Sequence, residues 1–256
     1  MDTQISPISA LGIRYFERNY GRILRAIPED SSVLEIGPGG ASFTQYLLHK
    51  GYRNITVCEV AEDKARSLSR FFGDSVRVIY RNVIDYLGNC PDRFDFIYAA
   101  QVIEHFDSDD VARFLSRCYT SLNDGGYMIF ETINCANVIY GLYLRYCDHT
   151  HQMGFTPASL KQFLLSTGEF SHLKLIEIYP SGILDLLYCL RRRTTGSVDF
   201  DSAIAQRRWR KAMAIPFRSF SVRLSRRLSS LFLRHYEFER LKIYTPFFAI
   251  VARKIT

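Results

Sequence analysis

The residues best suited to chemistry fall in four short stretches. In VLEIGPGGASF, Val33 to Phe43, an apolar run carries Glu35 and turns through Gly37 and Gly39 to Ala41. Glycines at such a turn let the backbone approach a ligand with no Cβ in the way. A dinucleotide turn, G-x-G-x-x-G, would need glycine at position 42; Ser42 stands there, which argues against an NAD site. Glu59 lies twenty residues past Gly39, and a carboxylate so placed accepts hydrogen bonds from both hydroxyls of a nucleoside ribose. The third stretch, Gln101 to Phe106, brings Glu104 and His105 together after an apolar segment. The fourth, Asp148 to His151, crowds two imidazoles and a carboxylate into one loop. An imidazole there could take the proton of a weakly nucleophilic hydroxyl, since its pKa is near neutral; His151 is the expected base, Asp148 its loop-orienting partner and His105 the alternative. Each stretch also has a structural reading: a glycine turn that packs helix on strand, a solvated strand-end Glu59, a helix start at Glu104 and His105, a polar surface loop.

Around these residues, runs rich in Val, Ile, Phe and Tyr recur at Ser32–Ile36, Asn54–Glu59, Val76–Tyr80, Phe94–Ala99 and Tyr127–Thr132. Helix-period segments separate them. Phe43, Leu47 and Leu48 form one apolar face, and Val111, Phe114, Leu115, Tyr119 and Leu122 another, stopped by Asn123 to Gly126. This alternation predicts a parallel sheet with crossover helices, whose carboxyl edge holds the ligand. Thr156 and Pro157 read as the N-cap and first position of a helix to Leu165; His172–Tyr179 and Pro246–Ala252 read as the last two strands.

The formal charge of +7 is concentrated in one place. Residues 181–243 hold fourteen Lys and Arg against five acids, a surplus of nine, so the remainder carries −2. That distribution argues against nucleic acid as a partner, because the basic residues lie away from the expected active edge. Within the segment, Phe217, Phe220, Leu224, Leu228, Leu231, His235 and Phe238 recur on one helical face. A basic amphipathic helix predicts peripheral contact with a membrane surface; the alternative is packing on its own domain or on a second subunit as a homo-oligomer. Neither a secretory leader nor an apolar run long enough to span a bilayer is read, so the expected location is cytoplasmic, at the inner membrane face. The six cysteines lack any C-x-x-C pair, and no metal site is expected.

Glu35, Gly37, Gly39 and Ala41 match an acid-x-G-x-G-x-small pattern, and the chain thereby resembles class I S-adenosylmethionine-dependent methyltransferases. That resemblance implies a Rossmann-like, mostly parallel seven-stranded sheet with helices on both faces, forming a single domain over 1–256 with the basic insertion before the last strand. It implies a cofactor site in which Glu35 faces the methionine end, Glu59 and Val60 the ribose, Asn82 and Val83 the adenine, and Ala100 and Gln101 the methionine from below. Asn82 replaces the more frequent Asp. A quinone-modifying branch carries a metal-associated E-x-x-E-H pattern, which Gln101 breaks.

The run LRYCDHTHQMGFTPASL, Leu144 to Leu160, is similar to a segment of methyltransferases encoded with bacterial surface-polysaccharide synthesis. Tyr146, Asp148, Thr150, His151, Phe155, Thr156, Ser159 and Leu160 match it, and Gln152 stands where Glu is frequent. The expected reaction is then methyl transfer to a sugar hydroxyl of a surface glycan or its lipid-linked precursor. The rivals are a quinone or natural-product O-methyltransferase and a non-catalytic S-adenosylmethionine-binding protein.

Overall fold

The computed structural model describes residues 5–89, 91–137, 141–168, 170–178 and 247–255. The basic segment 181–243, with its amphipathic run from Phe217 to Phe238, lies outside the described residues.

Seven strands form one sheet: β1 (Val33–Ile36), β2 (Ile55–Glu59), β3 (Arg77–Tyr80), β4 (Phe94–Ala100), β5 (Leu122–Ile133), β6 (Phe170–Ile178) and β7 (Phe247–Lys254). Their order is β3-β2-β1-β4-β5-β7-β6, as the Rossmann-like expectation requires. The first five pair in parallel, and β7 runs antiparallel between β5 and β6. Every residue of β1 is buried, the pattern of a strand covered on both faces.

On one face lie α1 (Ala10–Leu24), α2 (Ser42–His49) and α3 (Glu62–Phe72), whose Tyr20, Phe43, Leu47 and Leu68 pack with Val33, Val57, Phe96 and Ile129. The other face carries α4 (Val83–Asn89), α5 (Ser108–Ser121) and, after the short α6 (Gly141–Tyr146), α7 (Pro157–Thr167). There Leu87, Phe114, Leu115 and Leu160 close over Leu34, Ile36, Ile97 and Phe130. The chain runs outward from β1 through β2 to β3, then returns to place β4 on the opposite side of β1. Strand order therefore reverses between β1 and β4, the kind of switch point outside whose carboxyl ends open α/β sheets bind their ligands.

The start of α7 is as expected: Thr156 Oγ1 accepts from Ser159 N at 3.1 Å, and Ser159 Oγ accepts from Thr156 N at 2.9 Å. The junction before β5 differs. Leu122, assigned by its spacing to a helix face, instead begins β5 opposite Phe94, and Asn123 to Gly126 lie within the strand. A register shift between Phe94 and Phe96 and a left-handed Gly125 (φ 74°) absorb the extra residues, while Asn123 Nδ2 donates to Asp95 Oδ1 at 2.7 Å. Among the described residues no helix is long and apolar enough to cross a membrane.

Candidate active site

The turn after β1 uses three left-handed residues: Gly37 (φ 62°), Gly39 (φ 54°) and Ala41 (φ 61°). The two glycines serve different ends. A Cβ on Gly37 would lie 2.6 Å from Val102 Cγ2, so the β1 turn and the β4 loop can approach only with glycine there. A Cβ on Gly39 would meet nothing within 4 Å; this glycine borders open space. Ala41 is fully buried, and its N–H donates to Pro38 O at 2.7 Å, which holds a conformation that costs an L-residue about 1–2 kcal/mol. Glu35 is buried beneath α2 and accepts a hydrogen bond from Thr44 Oγ1.

At the neighbouring strand end Glu59 is only 5% exposed, and its Oε1 accepts from Ala61 N at 2.9 Å, which fixes the carboxylate in place. Val60 beside it is 65% exposed, and Tyr80, its neighbour at the end of β3, is 56% exposed. These exposed apolar side chains flank the carboxylate. Asn82 is engaged with its own helix: its Oδ1 accepts from Ile84 N at 2.8 Å and its carbonyl from Tyr86 N at 2.9 Å, so it starts α4, of which the buried Val83 is the first residue.

The end of β4 is the most unusual part of the site. Ala100 is followed by Gln101 at φ 55°, a strained conformation for a residue with a side chain. Its N–H donates to Glu131 O at 2.9 Å, while its Nε2 is buried with no hydrogen-bond partner. Glu104 is 1% exposed; Oε2 accepts from Thr132 Oγ1 at 2.9 Å and Oε1 has no partner. Burial pushes its carboxyl up to about 7, against the smaller opposing effect of its hydrogen bonds. Neither Glu104 nor His105 caps the next helix. Asp107 does so, accepting from Asp110 N at 2.8 Å.

The loop from Asp148 to Met153 docks on this strand end through peptide groups. Gln152 N and Met153 N both donate to Glu104 O, at 2.8 and 3.1 Å. Gln152 Nε2 donates to His105 O at 3.0 Å, a bond that Glu at this position could not make. Arg145 holds the carbonyls of His151 and Gln152 from the other side. The docking brings His151 and His105 into edge-to-face contact, ring centres 4.8 Å apart. His151 Nδ1 lies 3.1 and 3.2 Å from the carbonyls of Leu144 and Arg145 and so carries the proton donated to them. Asp148 Oδ1 accepts from Thr150 N at 2.9 Å and Thr150 Oγ1 at 2.7 Å, and these bonds hold its carboxyl below the usual range. His149 is nearly fully exposed, its Nδ1 3.9 Å from Asp148 Oδ1.

Sequence reasoning missed the buried acid of β5. Glu131 accepts from Tyr15 Oη at 2.9 Å and from Tyr20 Oη, beside Tyr98; burial raises its carboxyl and the tyrosines partly offset this. The available signal was a single charge inside the apolar run YMIFETI. Among the described residues no group of three or more His, Cys, Asp or Glu is placed to share a metal ion.

These residues fit S-adenosylmethionine. Open space at Gly39, a fixed and nearly buried Glu59, the apolar surfaces of Val60 and Tyr80 and the unpartnered amide of Gln101 suit a nucleoside joined to a polar amino-acid tail. Comparison with known proteins agrees. The methyltransferase domain family matches residues 11–168. The ubiquinone biosynthesis O-methyltransferase of Rhodopseudomonas palustris (strain TIE-1) is 30% identical over 191 residues, 71% of this chain and 72% of that protein. A SAM-dependent methyltransferase from Archaeoglobus fulgidus superposes with a TM-score of 0.64 over 94% of both chains, at 21% identity. Phosphoethanolamine N-methyltransferase 2 of Haemonchus contortus, solved with S-adenosyl-L-methionine, gives a TM-score of 0.59 over 94% of this chain and 53% of its own, at 15% identity. With the glycine turn, the strand order and the family match in agreement, the chain belongs to the methyltransferase domain family as a class I S-adenosylmethionine-dependent methyltransferase.

Proposed function

We propose that the enzyme methylates a hydroxyl oxygen on a small phenolic acceptor of the quinone-precursor kind. The observation that carries this is the likeness, 30% identity over 71% of the chain, to an O-methyltransferase of ubiquinone biosynthesis. The site chemistry supports it: an attacking hydroxyl must lose a proton, and His105 and His151 stand in contact after the end of β4. A phenol, with pKa near 10, is better matched to an imidazole base than the less acidic hydroxyl of a sugar. When bound, the cofactor supplies an electrophilic methyl, and the protein contributes mainly alignment and a place for the proton.

A sugar hydroxyl of a surface glycan or its lipid-linked precursor is the second reading, favoured by the polysaccharide-associated pattern of Leu144 to Leu160, the stretch that docks on Glu104 and His105. Purified enzyme, methyl-labelled cofactor and a fractionated bacterial membrane extract separate the two. Label in the phenolic lipid fraction supports the first reading; label confined to the glycan fraction sinks it. We also propose that the surplus of nine positive charges in 181–243 draws the enzyme to anionic membranes, where lipid-soluble acceptors reside. Absence of sedimentation with anionic vesicles at low salt would remove that element.

A further inference from the structure

Thr150 sits between Asp148 and His105, and the three form a chain of hydrogen bonds whose direction can be worked out. Asp148 can only accept when ionised, and its Oδ1 takes both the Thr150 N–H and the Thr150 hydroxyl hydrogen. A threonine hydroxyl has one hydrogen. Once that hydrogen is given to Asp148, the 2.9 Å contact between Thr150 Oγ1 and His105 Nδ1 requires the ring nitrogen to be the donor. Neutral His105 is thereby held with hydrogen on Nδ1 and its lone pair on Nε2. His151 also lies near Asp148, its N–H donating to the Asp148 carbonyl at 3.3 Å, but its Nδ1 is directed at two peptide carbonyls and not, through a hydroxyl, at the carboxylate.

We propose that His105 Nε2 is the proton acceptor of the reaction and that Thr150 is a positioning residue, linking the imidazole to the Asp148 carboxylate. The assignment rests on methyl transfer to a hydroxyl. As the acceptor oxygen forms its bond to the methyl carbon, the carbon–sulfur bond breaks and sulfur keeps the electron pair. The hydroxyl proton passes to Nε2, and the imidazolium is stabilised through Thr150 by the Asp148 charge before the proton leaves to water. The arrangement follows the logic of a carboxylate that orients a catalytic histidine, with a hydroxyl interposed. Other groups act on the same ring: burial and the neighbouring His151 favour its neutral form, as does Lys64, while the Asp148 charge and the peptide group of Thr150 favour the cation. The balance leaves His105 neutral, and able to accept, at neutral pH.

The test is nitrogen-15 NMR of the histidine-labelled full-length enzyme at neutral pH, with His105 assigned through His105→Gln. Wild type should show His105 in the Nδ1–H form. Thr150→Val should release that tautomer, and Thr150→Ser should restore it. With 3,4-dihydroxybenzoate as acceptor, Thr150→Val should lower kcat by about 10-fold to 100-fold, a part of the 10² to 10⁴ a general base contributes. Affinity for S-adenosylhomocysteine should stay unchanged in the same variant, and Thr150→Ser should recover turnover to within a few-fold. The tautomer is read without any acceptor, so a mistaken acceptor class would leave that result standing. An Nε2–H form of His105 in the wild type overturns the relay even in an active enzyme. Turnover that survives His105→Gln but is abolished by His151→Gln overturns the assignment of the base.

Discussion

Replacing Glu104 by Gln tests the burial of the site most directly. The carboxyl is 1% exposed, and burial raises it from the ordinary 4.5 to about 7. A difference of that size between folded and unfolded chain corresponds to roughly 3 kcal/mol. The folded protein binds this proton more tightly than the unfolded chain, so unfolding releases it between pH 4.5 and 7. Stability conferred by the neutral carboxyl is therefore complete below pH 4.5, falls as pH rises across that window, and is lost above about 7. Gln has the same size and is neutral throughout; its oxygen can keep the Thr132 bond, and its amide takes the place of the unpartnered Oε1. Urea unfolding of both proteins at pH 4.5, 6, 7 and 8 should show the variant gaining about 3 kcal/mol on the wild type from the lowest to the highest pH. Glu131 is present in both proteins, and its repulsion of the Glu104 carboxylate is part of the difference measured. Parallel stability curves would refute the reasoning, because Glu104 would then titrate as an exposed acid does.

Glu59→Ala should weaken cofactor binding by about 1.5–3 kcal/mol, roughly tenfold to 150-fold by calorimetry, in a protein that still folds; an unchanged dissociation constant removes Glu59 from the site. Gly37→Ala combines a left-handed alanine with the Val102 contact and should cost about 2–4 kcal/mol in urea unfolding. A loss under 1 kcal/mol would mean that the β1 turn and β4 loop are not so closely opposed. Gln152→Glu removes the donor to His105 O, and hydrogen exchange at the Gln152 and Met153 amides should quicken about fivefold, the equivalent of about 1 kcal/mol. Unaltered protection there would show that the side chain does not hold the loop.

Much of the framework was legible because local rules and tertiary needs coincided. The first five strands are apolar runs bounded by turn residues, and Thr156 with Pro157 marks a helix start that depends on neighbours only. The β5 start was misplaced because Leu122 fits both the face of α5 and the strand, and the choice is made by Phe94 on another strand. Glu104 was recognised as a residue of interest, but its burial was not legible, since a loop more than forty residues later covers it. Glu131 escaped because its partners, Tyr15 and Tyr20, come from α1, over a hundred positions away. Asp107 took the capping role that had been open to Glu104 and His105, which a carboxylate one position before the helix could have signalled.

The pairing of the last two strands brings the two ends of the chain between them together. Ile178 and Phe247 are direct partners in an antiparallel ladder, so the 68 residues between them leave and return at a single point on the sheet edge. Topologically that span is the loop of a hairpin, a position where two residues would suffice. Closing so long a loop costs little more than closing a short one, about 0.6 kcal/mol per doubling, or on the order of 3 kcal/mol in all. The switch point between β1 and β4 is separated from β6 by β5 and β7. The ladder of β6 and β7 thus keeps one continuous register from Ile178–Phe247 to His172–Arg253 although its two strands are far apart in the chain.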